Sequence, residues 1–210
     1  MKFRRHATGL VLGLCGIAFN GMAVAGFDEA HAAYEKRDYK IALQEFSKAA
    51  DQGHAKAQAF LGWMLVNGQG VAKNDAQALA WFGKAAAQGE AKAQVLLGLM
   101  LVNGRGVAAE DAQAVAWFRK AATQGHADAQ GFRGVMLLKG QGVARDEAQA
   151  VTWFSKAAAQ GDAGAQSSLG LMLANGRGVA KDEAQAVAWF RKAAAQGHAG
   201  AQAELQRRGF

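Results

Sequence analysis

The chain has 210 residues, 51% hydrophobic and 20% charged, with 27 glycines, no proline and one cysteine. That apolar share supports a buried core and excludes a disordered chain, while one cysteine excludes a disulfide framework and a thiolate metal cluster. The formal charge of +7 suggests an acidic partner, but three of its basic residues lie within the first 25 residues, and the remaining +4 is too mild and too interleaved with carboxylates to point to nucleic acid.

The first 25 residues read as an address. Lys2, Arg4 and Arg5 precede an apolar stretch from Ala7 to Phe19, and the small-residue site Ala23-Val24-Ala25 stands before Gly26. A basic start, a short apolar run and an A-x-A end describe a cleavable secretory leader. The run is too short to span a bilayer comfortably, and no other segment reaches the roughly twenty apolar residues required. Two other readings concern the same stretch: Cys15 as a lipoprotein attachment site, although Leu14 before it is not small, and Arg4-Arg5 as a twin-arginine signal with poorly matching surroundings. Removal of the leader lowers the formal charge to +4 and takes away the only cysteine. The expected location is periplasmic or secreted, with no stable membrane insertion after cleavage.

Residues 26–53 predict a short helix pair, around Asp28–Arg37 and Tyr39–Gln52, acting as a divergent N-terminal cap. A 36-residue period follows. Trp81, Trp117, Trp153 and Trp189 keep it, as do Gly62, Gly98, Gly134 and Gly170, and segments 90–125 and 162–197 agree at 27 of 36 positions. Four units result, 54–89, 90–125, 126–161 and 162–197, and a closing helix occupies 198–210. Each unit predicts two helices. In the second, helix A runs from about Ala91 to Val102 with Ala93, Leu97, Gly98 and Leu101 on one face, and Asn103-Gly104 ends it. Helix B starts near Glu110-Asp111, carries Val115, Trp117, Phe118, Ala121 and Ala122, and stops at Gln124-Gly125. Small residues at Gly62, Gly98, Gly134 and Gly170 allow close helix approach, and the tryptophans are expected to fill the space between units. A helix pair with one apolar stripe needs its neighbours to cover it, which is the logic of a solenoid.

Chemistry is sparse. Ser47, Ser155, Ser167 and Ser168 are followed three residues on by Ala50, Ala158, Gly170 and Leu171, so no Ser-x-x-Lys exists, and Lys-Thr-Gly is absent too. His54, His126 and His198 share a repeat position with Glu90 and Asp162, which reads as a polar helix start rather than a ligand set. No His-Glu-x-x-His or paired-cysteine motif supports zinc. The Gly-x-Gly turns, such as Gly104/Gly106, follow helices rather than strands and lack a third glycine, so they read as structural turns. No catalytic residue, metal or cofactor is expected. Arg133 stands where Leu61, Leu97 and Leu169 stand. Either it snorkels while Phe132 takes the core, or it pairs with a carboxylate such as Asp128.

The pattern Ala-x-Ala-Gln-x-x-Leu-Gly-x-Met-Leu-x-Asn-Gly-Arg-Gly-Val at 91–107, then Ala-x-x-Trp-Phe-x-Lys-Ala-Ala-x-Gln-Gly at 114–125, closely resembles Sel-one-like repeats, relatives of tetratricopeptide repeats. The resemblance covers 54–208 and implies an all-α fold, a right-handed α-solenoid of helix-turn-helix repeats whose concave face binds other proteins. The family's usual turn proline is Ala72, Ala108, Ala144 and Ala180 here, and its usual helix-A tyrosine is Leu65, Leu101, Leu137 and Leu173. The helix-A register of such solenoids aims Trp63, Val66 and Asn67 into the groove in the first unit, and Val95, Leu99, Val102 and Asn103 in the second. Val135, Leu138 and Lys139 follow in the third, Leu171 and Asn175 in the fourth. The same register turns Lys56, Ala59, Lys92, Asp128, Gly131, Gly164, Ser167 and Ala174 inward. An apolar centre with an amide edge suits a protein partner; the alternative is that these aliphatics pack helix A against helix A. The implied function is a non-catalytic interaction scaffold of the bacterial envelope whose partner is another protein. Rival readings are a β-lactamase-like or other cell-wall hydrolase, and a peptidoglycan- or polymer-binding envelope protein.

Mass spectrometry of the exported protein is expected to find an unlipidated chain starting at Gly26. A lipid-modified Cys15 at the N-terminus would show the lipoprotein reading to be the correct one.

Overall fold

The computed structural model describes residues 26–210; the expected leader, its cleavage point after Ala25 and Cys15 lie outside them. The described residues form helices and turns without strands: α1 (26–35), α2 (Tyr39–Asp51), α3 (Ala55–Asn67), α4 (Asp75–Ala87), α5 (Ala91–Val102), α6 (Asp111–Thr123), α7 (Ala127–Lys139), α8 (Glu147–Ala159), α9 (Ala163–Asn175), α10 (Glu183–Ala195) and α11 (Ala199–Arg207). From α3 onward, odd-numbered helices are the A helices and even-numbered ones the B helices. The chain divides inside α4 into two compact units, one ending at Trp81 and one spanning Phe82–Phe210.

The first unit has an aromatic core. Phe46 of α2 is fully buried and stacks on Phe60 of α3 with ring centroids 4.9 Å apart. Tyr34 of α1 meets Phe60 edge-on at 5.7 Å, and Phe27 stacks on His54 at 4.8 Å. Offset and edge-on pairs of this kind satisfy the ring quadrupoles while burying large apolar areas. Gly70 has φ +72°, and a Cβ there would sit 2.5 Å from the Tyr39 carbonyl oxygen, so this turn can approach α2 only without a side chain.

In the second unit each helix packs on its chain neighbours, α5 on α6, α6 on α7, and so on to α10 on α11. This nearest-neighbour order is what a 36-residue helix-pair repeat dictates. Within each pair a phenylalanine of helix B lies flat on a glycine of helix A. A Cβ added at Gly98, Gly134 or Gly170 would stand 2.7 Å from Phe118, Phe154 or Phe190 respectively. These three phenylalanines are at most 1% exposed. The tryptophans beside them, expected to be the inter-unit filling, are only half-buried. Lys120, Lys156 and Lys192 lie over Trp117, Trp153 and Trp189 at 3.9, 4.6 and 4.1 Å from the ring centroids. The phenylalanine took the core because its ring fits over a bare backbone, whereas an indole one position earlier falls at the helix edge, where a lysine three residues away covers it.

A buried amide ladder reinforces the stack. Gln94, Gln130 and Gln166 donate to the carbonyls of Ala86, Ala122 and Ala158, at 3.1, 3.3 and 3.1 Å, near the end of the preceding helix B. Each also accepts from a glutamine thirty residues on, Gln124, Gln160 and Gln196, at 2.8–2.9 Å. The ladder gives a second donor to carbonyls that already accept the Gly89, Gly125 and Gly161 amides at 3.1 Å. The turns need no proline, because glycines at φ +69° and +65° (Gly140 and Gly142) set them. The Asp146 amide then donates back to the Leu137 carbonyl at 3.0 Å, closing the loop. The residue between the two glycines reaches the first turn of the previous helix B. Gln141 donates to Asp111 at 2.9 Å, and Arg177 to Glu147 at 2.7 Å. The hydrogen bond from Arg177, with another from Arg145, holds the Glu147 carboxyl below the usual carboxylate range.

Among the described residues Arg133 pairs with no carboxylate: its Nε and Nη1 are buried without hydrogen-bond partners there. Phe132 has turned onto Phe118, with centroids 5.1 Å apart. Burial and the nearby Arg119 lower the Arg133 pKa. Charged donors left unpaired in a leucine position cost stability.

Three outcomes follow for stability, all read by thermal or urea unfolding. Gly134→Ala is expected to lose about 1–2 kcal/mol, since overpacking against Phe154 outweighs the helix-propensity gain. Gly83→Ala, where an added Cβ meets nothing within 4 Å, should instead gain up to about 1 kcal/mol. Arg133→Leu, restoring the residue of the other repeats, is expected to gain about 1–2 kcal/mol; a loss would mean that the guanidinium is held by an interaction it needs.

Candidate functional site

Exposure along the A helices separates the expected groove residues. Trp63 and Leu171 are each 38% exposed, large apolar side chains facing solvent. Leu99, Val102, Val135, Leu138 and Val66 are half-buried. Val95 is corrected: at 4% exposure it belongs to the core of its unit and offers a partner almost no area.

In the first unit Trp63 is held in place rather than loose. Its indole N–H donates to the Tyr34 hydroxyl at 3.1 Å, and that hydroxyl donates to Gln69 at 3.1 Å. A fixed aromatic with its polar edge satisfied presents its ring at low entropic cost. The amide edge is partly committed. Asn67, Asn103 and Asn175 each donate a side-chain N–H to the carbonyl four residues back, Trp63, Leu99 and Leu171, at 2.8 Å. Their Oδ1 atoms and second N–H remain the groups a partner could use. Lys139, at the matching place in α7, is exposed.

In the second unit Val135 and Leu171 come together on one hollow of about 610 Å³ between α7, α9 and α11. Asp128, Gly131, Gly164 and Ser167, which the register turned inward, line it too. Leu99, Val102, Asn103, Leu138, Lys139 and Asn175 do not. The register missed Phe132, Asp162, His198 and Glu204, which also line the hollow. Phe132 stands three residues before Val135, where the same helix face continues; Asp162, His198 and Glu204 carry no such spacing signal. Two of them are tied to the fold: Asp162 accepts the Ala165 amide at 2.5 Å, and His198 Nδ1 accepts the Ala201 amide at 3.1 Å. His54 caps α3 in the same way, accepting the Ala57 amide at 3.2 Å, whereas His126, the N-cap residue of α7, makes no such side-chain hydrogen bond. These histidines are therefore helix-start groups. Among the described residues no three His, Cys, Asp or Glu side chains gather as a metal set, and no helix is long and apolar enough to cross a membrane.

The sequence pattern of the Sel1 repeat matches residues 31–54, 55–90, 91–126, 127–162 and 163–198. Each full segment starts one residue later than the units drawn from the glycine period, and 31–54 adds the N-terminal pair as a fifth match. No curated protein matches the sequence. Among solved structures, the chain is similar to a protective antigen of uropathogenic Escherichia coli with an SLR fold, at 37% identity over 90% of this chain and TM-score 0.84. It is also similar to a Sel1 repeat protein of Oxalobacter formigenes, at 36% identity over 77% of this chain and TM-score 0.73. The chain spans 42% and 64% of the lengths of these two proteins. An immunity protein of Pseudomonas aeruginosa is similar at 25% identity over 86% of this chain and 68% of that protein, with TM-score 0.55. Repeats of this kind generally mediate protein–protein interaction. With repeat matches running from 31 to 198 and helix pairs that stack on their chain neighbours, the chain belongs to the Sel1 repeat family.

Proposed function

We propose that this protein is a non-catalytic interaction scaffold of the bacterial cell envelope, exported by its leader and holding a partner protein against its helix-A faces. The observation that carries the reading is the pair of large apolar side chains, Trp63 and Leu171, left 38% exposed on A helices. Their counterparts one position on, Met64 and Met172, are fully buried or nearly so. Exposed apolar groups rimmed by amides are what a groove uses to anchor a partner segment, and a few such anchors supply most of the binding energy. Similarity to an immunity protein is consistent with protein capture. The first two structures extend well beyond the length of this chain, so their whole-protein roles are not transferred.

The test is site-specific photocrosslinking in the native envelope. A crosslinker at 63 or 171 is expected to trap one discrete protein partner, and one at the exposed helix-B residue Thr152 to trap none. Trp63→Ala should weaken capture about thirtyfold, the loss of a single anchor of about 2 kcal/mol, with thermal stability nearly unchanged. Phe154→Ala, by contrast, should cost about 3–5 kcal/mol of stability. Adducts at 152 equal to those at 63 and 171, or a protein that is never exported, would defeat the proposal.

A further inference from the structure

We infer that the hollow between α7, α9 and α11 holds a basic, apolar-flanked segment of the partner protein; this rests on the protein-binding reading above and adds the partner's chemistry. The starting point is how one repeat position changes along the chain. It is Lys56, Lys92, Asp128, Gly164 and Gly200 in successive repeats. Cations stand at it twice, then a carboxylate, then no side chain at all. Space is open at Gly131 on α7, where a Cβ would meet only Asp162 Oδ1, at 4.0 Å, and at Gly164 on α9, where it would make ordinary contact with the same oxygen at 3.4 Å; at Gly200 on α11 it would press on the His198 ring at 3.2 Å. The hollow exists because these side chains are missing.

Its lining has a sign opposite to that of the whole protein. The sequence carries 24 Lys and Arg against 17 Asp and Glu, yet the lining contains Asp128, Asp162 and Glu204 and no Lys or Arg. Glu204 is already paired, with Arg207 at 2.6 Å and Arg208 at 3.2 Å, so Asp128 and Asp162 carry the free charge. Asp162 spends one oxygen, Oδ1, on its helix cap. Asp128 is exposed and has neither ion pair nor hydrogen bond among the described residues. Phe132, Val135 and Leu171 supply the apolar wall. A lysine or arginine fits such a place as a whole: its methylene stem lies on the apolar wall while its charged head reaches the carboxylates. A volume of about 610 Å³ has room for more than one side chain, so an apolar neighbour of the basic residue enters as well. Acidic segments and anionic polymers meet like charge at the same rim and are disfavoured.

The experiment uses fluorescence anisotropy of short dye-labelled peptides alternating leucine with lysine, glutamate or serine, titrated with the full chain. The Leu/Lys peptide is expected to bind about tenfold tighter than the Leu/Ser peptide, with the advantage shrinking as salt screens the rim charges. Asp128→Lys should reverse the order and favour Leu/Glu. Gly131→Leu, which suits the helix and fills the hollow, should abolish Leu/Lys binding while circular dichroism reports an intact fold. Three peptides bound equally by the full chain would overturn the inferred charge selectivity; if Gly131→Leu still removed them, the hollow would remain a protein-binding site without it. Leu/Lys binding that survives Gly131→Leu would overturn the hollow as the site. Crosslinking from 63 and 171 decides the scaffold reading separately, whichever way the peptides fall.

Discussion

The contact on which the second unit depends is a phenylalanine ring laid against bare helix backbone. At Gly98, Gly134 and Gly170 no Cβ fits, because the rings of Phe118, Phe154 and Phe190 already occupy its place. This sets the distance between the A and B helices of a pair, and every other feature takes its position from that distance. The flanking alanines, such as Ala93 and Ala121, are fully buried for the same reason: helices this close leave room for methyl groups only. The half-buried tryptophans and their covering lysines are what remains at the outer margin of the same helix.

The amide ladder is the polar counterpart of that contact. A glutamine near the start of each A helix in the second unit serves two neighbours at once, the end of the previous helix B and the glutamine closing its own. The carbonyl partners Ala86, Ala122 and Ala158 are buried while Gln124, Gln160 and Gln196 are exposed, so the bond to the carbonyl is the costlier one to lose. Apolar packing gives close approach without direction; the ladder adds directional bonds and so favours one register between successive helices. Arg133 shows what happens when one position leaves this scheme, since its guanidinium finds neither carboxylate nor carbonyl and Phe132 moves onto Phe118 to fill the space.

Variation among repeats is where binding chemistry arises. Positions that build the pair hardly change, while the outward positions of helix A run through lysine, aspartate and glycine at one site and tryptophan, leucine and valine at another. A repeat scaffold can vary these more freely than the core positions because they are exposed or only half-buried. Trp63 in the first unit and the acidic hollow in the second are two products of that freedom, one adding a side chain and the other removing several.

Periodicity alone determined the helices, their order and their ends, since a 36-residue period with glycine turns leaves the chain few choices; α5 begins and ends at the residues the pattern marked. It also marked the glycines at which helices come close. The sequence did not say which aromatic would be core, because Trp117 and Phe118 are adjacent on one helix and only the geometry against Gly98 separates them. Nor did it place Val95, whose pattern is that of a groove residue and whose 4% exposure is that of the core. The hollow depended on tertiary structure most of all. Asp128, Asp162 and Glu204 lie far apart along the chain and meet only when three A helices stand side by side, and an empty volume is defined by walls that no single repeat contains.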